Sequence, residues 1–204
     1  MTSWGKEFAG FSATIPTATW GKLEVEAAFL SGAVDGDLVV WFGEGRSMEW
    51  PLVRIHSECV FGEVLSSLLC DCSDQLLLAM KRLRQESGAL VYLRMDGRGA
   101  GLAAKVAATA LELQGADTWD SRTAIGVEPE GRDFQPVAKY LKEVGVEKIR
   151  LLTNNPEKVM HLARHGLAVE REPLVVGEPN ENVRRLYKTK SERFGHLING
   201  ELAD

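Results

Sequence analysis

Cysteine is scarce, with three in 204 residues, and all three fall between positions 59 and 72. Their odd number, and the short ring a Cys70–Cys72 bridge would close, argue against a disulfide framework. No apolar run approaches the roughly 18 residues that span a bilayer. The N-terminus shows no basic stretch followed by an apolar one. The expectation is a protein of the cytoplasm whose thiols stay reduced, with no membrane partner. Basic charge is in deficit, 24 Lys and Arg against 29 Asp and Glu for a net −5, which speaks against a broad nucleic-acid-binding face. A single nucleotide needs only a local group of cations, and Arg54, Arg98, Lys105, Arg132 and Lys158 are candidates. Internal repeats, low-complexity tracts, a convincing linker and the G-x-x-x-x-G-K-[ST] phosphate loop are all missing. What is present, 45% apolar and 26% charged residues, suits an ordinary globular protein, most simply one domain over residues 1–204.

The chain is organised around RIHSECVFGEVLSSLLCDCSDQ at 54–75. Thiolates this close together suit Zn²⁺, and three protein ligands leave the open position that a catalytic zinc needs. In a helix Cys70 and Cys72 would point about 200° apart, so a shared ion predicts a break in helical geometry there.

The first 35 residues read as irregular apart from a strand over 19–26. Asp35-Gly36-Asp37 signals a turn into a buried strand at 38–43, and 49–56 reads as that strand's neighbour. Apolar spacing predicts a helix from Glu63 through Leu65, Leu68 and Leu69, a pause at CDCSD, and a second helix through Leu83 that ends at Ser87-Gly88. A strand at 89–94 and helices at 102–114 and 134–144 come next. They are followed by a strand at 147–153, a helix at 156–165 capped by Asn154 or Asn155, a strand within 167–176 and a charged helix at 182–194. The fold class is α/β, a mixed α+β arrangement with a β-rich N-terminal layer and strands alternating with helices in the second half. Gly97-Arg98-Gly99-Ala100-Gly101 lies between a strand and a helix, where backbone N–H groups can meet an anion. Its partial G-x-G-x-x-A match is too weak to indicate a dinucleotide site.

RIHSEC followed by CDC closely resembles the zinc segment of the GTP cyclohydrolase II family, which opens the guanine ring at the start of riboflavin synthesis. Gln75, DGRGAGL at 96–102, GRDF at 131–134, RLLTNNPEKV at 150–159 and KTKSERFGHL at 188–197 match in the same order, so the resemblance covers about residues 51–198. It implies a GTP cyclohydrolase II-like fold and Cys59, Cys70 and Cys72 as ligands of one Zn²⁺ per subunit. It also implies Mg²⁺ carried with the triphosphate, GTP or a related purine nucleotide as substrate, and a homodimer. It assigns nucleotide contacts to Arg54, Ile55, His56, Ser57, Glu58, Gln75, Asp96, Gly97, Arg98, Thr118, Thr153 and Lys158. Glu130 would be the general base and Arg132 the nucleophile that attacks the α-phosphorus and releases pyrophosphate. The residues alone suggest instead that Arg132 clamps phosphate oxygens, because a guanidinium stays protonated.

The departures from the family pattern bear on the product. Thr109 stands where the family carries a catalytic tyrosine, Glu130 where it usually carries Asp, Asp96 where it carries Glu, and Met95 where it carries Gln. The expected consequence is ring opening with formate loss absent or slow. A nucleotide-binding regulatory protein without turnover, a structural zinc with His56 as fourth ligand, and another purine nucleotide as substrate stay open as alternatives.

Overall fold

A computed structural model of the chain describes residues 11–30 and 36–198. Strands β1 (Phe11–Thr17), β2 (Gly21–Phe29), β3 (Leu38–Phe42), β4 (Leu52–Ser57), β5 (Gly88–Leu93), β6 (Lys148–Leu152) and β7 (Ala168–Glu172) form one sheet in the order β1-β2-β3-β5-β4-β6-β7. Three pairs, β1 with β2, β2 with β3 and β3 with β5, are antiparallel. From β5 onward β4, β6 and β7 run parallel. The sheet is therefore mixed α/β, as the alternation of strands and helices implies.

Helices cover both faces. Helices α5 (Gln135–Glu143) and α6 (Pro156–Arg164) pack Val137, Leu141 and Leu162 against Val53, Ile55, Val91 and Leu151. On the other face α2 (Cys72–Glu86) buries Ala79 and Leu83 against Leu52, Leu90 and Leu152. The period of two along β4 sorts its residues: Val53 and Ile55 enter one core, while Leu52, Arg54 and His56 share the opposite face. Arg54 and His56 are carried past the apolar core to the C-terminal ends of the parallel strands, where open α/β sheets hold their ligands.

Three expectations are corrected. Residues 11–17 form β1, and Pro16 is tolerated because β1 is an edge strand paired on one side only. The strand at 52–57 is not the neighbour of β3, because β5 lies between them and the β4-α2-β5 crossover places β4 further in. The helix expected over 63–69 is not there: α1 is the single turn Val60–Glu63. The Val60 carbonyl accepts both the Val64 and Leu65 N–H groups, Ser66 takes a φ of 51°, and Leu65 and Leu68 are exposed. The chain leaves the helix there so that Cys70 can return to Cys59. Asp35 of the expected turn lies outside the described residues.

The short helix α4 (Thr118–Ala124) has no apolar periodicity that would have revealed it. Asp117 caps it by accepting the Trp119 and Asp120 N–H groups. Helix α3 (Gly101–Glu112) and the charged helix α7 (Glu181–Phe194) complete the fold.

Candidate active site and metal centre

The loops after β4, β5 and β6 open into one cavity. The β4 end brings Arg54, His56, Ser57, Glu58 and Cys59. The β5 end brings Met95, Asp96, Gly97 and Arg98, and the β6 end brings Thr153 and Lys158. Cys70, Cys72, Gln75, Lys105, Thr109, Thr118 and Arg132 complete the wall from the surrounding helices and loops. Two residues on the expected list do not line it. The Ile55 side chain is buried in the sheet core, although its carbonyl accepts from Lys158 Nζ at 2.9 Å. Glu130 stands behind Arg132.

The three sulfurs lie within 4.8 Å of one another, with Cys59 Sγ 3.6 Å from Cys70 Sγ. Zn–S bonds of about 2.3 Å in a tetrahedral site place sulfurs about 3.8 Å apart, so the cluster fits that ion. The break needed between Cys70 and Cys72 is present, because α2 begins at Cys72 with Asp71 as its non-helical cap residue. Gly62 makes the approach feasible. A Cβ there would stand 3.1 Å from Cys70 Sγ, 3.2 Å from Cys72 Cβ and 3.4 Å from Cys59 Sγ.

Cys59 Sγ also accepts from Gly62 N at 3.3 Å and Lys105 Nζ at 3.0 Å. Hydrogen bonds from the neighbouring thiols and Lys105 hold Cys59 far below the usual thiol range. His56 is not among these ligands. Its Nε2 lies 2.9 Å from Glu63 Oε1, and burial lowers its pKa, so the ring is neutral and donates to a carboxylate.

Glu63, which sequence reasoning passed over, also accepts the Cys59 N–H at 2.8 Å and the Tyr92 hydroxyl at 2.6 Å. Arg54 is buried, donating to the Leu152 carbonyl at 3.0 Å and to Gln75 Oε1 at 2.8 Å. Burial brings its pKa down to about 10. Gln75 in turn donates to Asp71 Oδ2 at 2.6 Å.

The glycine turn adopts left-handed backbone at Gly97 (φ 62°) and Arg98 (φ 59°). A non-glycine residue there costs about 1–2 kcal/mol, and such strain gathers at functional sites. The turn is stitched to the Arg132 segment by Gly131 N–H donating to the Arg98 carbonyl at 3.1 Å. Burial and then repulsion from Arg132 lower Arg98 to about 9. Arg132 Nε donates to Glu130 Oε1 at 2.6 Å, and its Nη2 pairs with the other oxygen. Burial opposes ionisation of Glu130, but the Arg132 hydrogen bonds and charge hold its pKa below the usual range. Lys158, pushed well below the usual amine range by burial and by Arg132 and Arg54, lies in the same wall. Asn155 caps α6 by accepting from Glu157 N at 2.9 Å.

Arg122, Tyr187, Lys190 and His196 also line the cavity and were not anticipated as site residues. Arg122 belongs to the unforeseen α4, Tyr187 sits in a helix whose charge pattern alone looks solvated, and Lys190 and His196 fall within the KTKSERFGHL stretch, whose resemblance to the family carried no role for them. A chain of net charge −5 thus gathers Arg54, Arg98, Lys105, Arg122, Arg132, Lys158 and Lys190 around one cavity, beside a trio of thiols. That combination suits a phosphorylated purine held next to a metal.

Comparison with known proteins agrees. The sequence profile described as GTP cyclohydrolase II matches residues 8–173. A GTP cyclohydrolase-2 of Neisseria meningitidis serogroup A is 46% identical over 149 residues, 72% of this chain and 75% of that one. One of Haemophilus influenzae strain PittEE is 45% identical over 149 residues, 72% of this chain and 68% of that one. One of Neisseria meningitidis serogroup C is 45% identical over 159 residues, 77% and 79% of the two chains. With the thiol cluster, the cationic cavity and the matched sequence all in the same part of the fold, the chain belongs to the GTP cyclohydrolase II family.

Proposed function

We propose that this protein is a zinc-dependent hydrolase of the GTP cyclohydrolase II type. It opens the imidazole ring of GTP at C8 and releases pyrophosphate, giving a pyrimidine nucleoside monophosphate that keeps its formyl group. The observation that carries the reading is the meeting of Cys59, Cys70 and Cys72 with a ring of buried cations in one cavity.

Cys59, Cys70 and Cys72 would hold the zinc, which when bound would lower the pKa of water from 15.7 toward about 7, less fully than with three neutral imidazoles because three thiolates leave the site negative, and so supply a nucleophile for hydrolysis at carbon. The remaining work belongs to the chain. Gln75 and Arg54 form a fixed polar wall able to meet a purine edge, since their hydrogen bonds to Asp71 and the Leu152 carbonyl lock both side chains. Arg98, Arg132, Lys158 and Thr153 face the triphosphate, which travels with Mg²⁺. Arg132 is aimed by Glu130 through two hydrogen bonds. Attack by its guanidinium on the α-phosphorus would expel pyrophosphate and give up a proton, which Glu130 is the carboxylate placed to take; a water would then cleave the P–N bond to free the monophosphate and return Arg132.

The Thr109 side chain on α3 lines the cavity where the family resemblance expects tyrosine. Threonine offers no phenolic acid near pKa 10, which supports retention of formate. Glu58, Ser57, Asp96, Gly97 and Thr118 contribute wall positions. The exposed apolar side chains Val64, Leu65, Leu68, Val106 and Leu113 support a homodimer.

The deciding experiment is metal analysis of the purified chain together with mass spectrometry of its reaction with GTP. The expected result is stoichiometric zinc, pyrophosphate, and a product heavier than the deformylated diamine by one carbonyl group. Zinc-free protein that turns over GTP, or Cys70→Ala with undiminished turnover, overturns the reading. Tight GTP binding without any product would identify a binding protein instead.

A further inference from the structure

The segment Glu181 to Ile198 lies beyond the residues that the family profile matches, and the resemblance of its 188–197 stretch assigned it no role, yet it closes the cavity with Leu186, Tyr187, Lys190, His196 and Ile198. Helix α7 starts under an Asn180 cap and ends at Gly195, which takes a φ of 63°. It is tied down on both sides of the site. The Tyr187 hydroxyl donates to Asp71 Oδ2 at 2.6 Å, between the two metal-loop cysteines. Arg193 faces Asp117 at 3.6 Å. Phe194 packs on Trp119 at 5.1 Å and lies 3.8 Å beneath the Arg98 guanidinium. Past the helix, Leu197 N–H donates to the Asn154 carbonyl at 2.8 Å.

So anchored, the segment sets two side chains inside the cavity that the fold itself does not satisfy. Lys190 is 15% exposed, and its ion pair with Asp71 Oδ1 is 3.5 Å long, too long for a good hydrogen bond. His196 Nε2 is buried without a hydrogen-bond partner. Burial, together with the charges of Lys190, Arg98, Lys158 and Arg132, lowers the His196 imidazole to about 2. The ring is neutral among four cations. Burying lysine and histidine with unmet hydrogen bonds is costly, and a polyanion in the cavity would meet both.

We propose that the C-terminal segment is part of the nucleotide site, with Lys190 and His196 contacting the phosphate chain of the bound triphosphate. This rests on the reading of the cavity as a site for a purine nucleoside triphosphate. Lys190 contributes charge, His196 a neutral N–H donor, and Tyr187 with Asp71 positions the helix that carries them.

The test uses the full-length, zinc-loaded chain and titrates three probes: a GTP analogue with a methylene bridge between the α- and β-phosphorus, GMP, and guanosine. Lys190→Ala should weaken the triphosphate analogue about tenfold, the loss expected for one charge-assisted contact, while leaving guanosine unchanged. Lys190→Arg should restore most of the loss. His196→Gln should weaken the analogue about threefold with the same selectivity. Circular dichroism and zinc content report whether each variant is folded. Wild-type affinity for the analogue in both Lys190→Ala and His196→Gln overturns the proposal, as does an equal loss for all three probes, which would show that the residues only hold the segment in place. If the unaltered protein binds none of the probes, the nucleotide reading itself fails; a protein that binds the analogue normally but ignores both changes defeats only the present inference.

Discussion

Lys105 Nζ lies 3.0 Å from Cys59 Sγ and 2.7 Å from Asp96 Oδ1, bridging a metal-site thiolate to the start of the glycine turn. Three thiolates around a divalent ion leave a net negative centre, and a lysine donating to one of them offsets part of that charge. Lys105→Met keeps the length of the side chain and removes the cation. Zinc affinity should fall about tenfold to a hundredfold, the range seen when a hydrogen-bond partner of a metal ligand is lost. A chelator competition measures it, and unchanged zinc retention would show that the contact with Cys59 is incidental.

Glu63 binds three groups at once: the His56 ring, the Cys59 N–H and the Tyr92 hydroxyl. Glu63→Ala leaves all three without their acceptor in a half-buried place. The loss should be about 3 kcal/mol of stability. Glu63→Gln should cost about 1 kcal/mol, because the amide oxygen still serves one side and the Tyr92 hydroxyl can turn to accept. Urea unfolding of the zinc-loaded proteins separates the two, and equal stability would remove Glu63 from any structural role at the site.

The thiol cluster was legible in the sequence because its parts are local and unusual: three thiols within one short stretch leave few chemical readings, and the fold brings their sulfurs together. Buried strands such as Leu38–Phe42 and Gly88–Leu93 were legible for a similar reason, as continuous apolar runs bounded by turns. What misled was pattern without context. Leu65, Leu68 and Leu69 keep helical spacing, but the need to bring Cys70 back to Cys59 overrides it and leaves Leu65 and Leu68 in solvent. Strand order was invisible too, since β5 enters between β3 and β4 only after a helical crossover. Lys190 and His196 lie in a stretch that resembles the family, but a charged helix and its tail gave no reason to place them at the site. Their place in the cavity depends on tertiary anchors, Asp71 and Trp119, that are far away in sequence.

Arg98 has a left-handed backbone and a guanidinium stacked on Phe194. Arg98→Gly removes about 1 kcal/mol of backbone strain and forfeits a stacking contact of about 0.5–2 kcal/mol. The two nearly cancel, so the melting temperature should move by only a few degrees. Loss of the cavity cation should still weaken GTP binding about tenfold or more. Thermal denaturation beside a binding isotherm tests the pair, and a large drop in both would mean that Arg98 is chiefly structural.

His196 sets a pH dependence for the attachment of α7. Its folded pKa, about 2, lies below the ordinary 6.5. Between those values the detached segment binds the proton and the docked one does not, so docking is at full strength above pH 6.5 and weakens as the pH falls below it. The facing charges are Lys190, Arg98, Lys158 and Arg132, with the Asp71 and Glu130 carboxylates paired nearby. Hydrogen exchange of the α7 amides should speed up between pH 6.5 and 5 beyond the intrinsic chemical trend. His196→Gln should flatten that response. An identical profile in the variant would trace the effect to the carboxylates.

Thr109 bears most directly on the product. It sits on the cavity side of α3, while Tyr92 and Tyr187, the two phenols nearest the site, are committed to Glu63 and Asp71. Both have pKa values pushed upward, by burial first and then by their carboxylate partners. Neither is available as an acid near neutral pH, so an unpaired phenol must come from α3. Thr109→Tyr places one there, and Met95, which also lines the cavity, is a flexible neighbour in that wall. The expected outcome is a shift from the formylated pyrimidine to the deformylated diamine with formate released, read by product mass and a formate assay. The rate of pyrophosphate release should stay within about threefold, because the phosphate-facing groups are untouched. A variant that opens the ring as before and still keeps the formyl group would show that the missing phenol is not what stops the reaction.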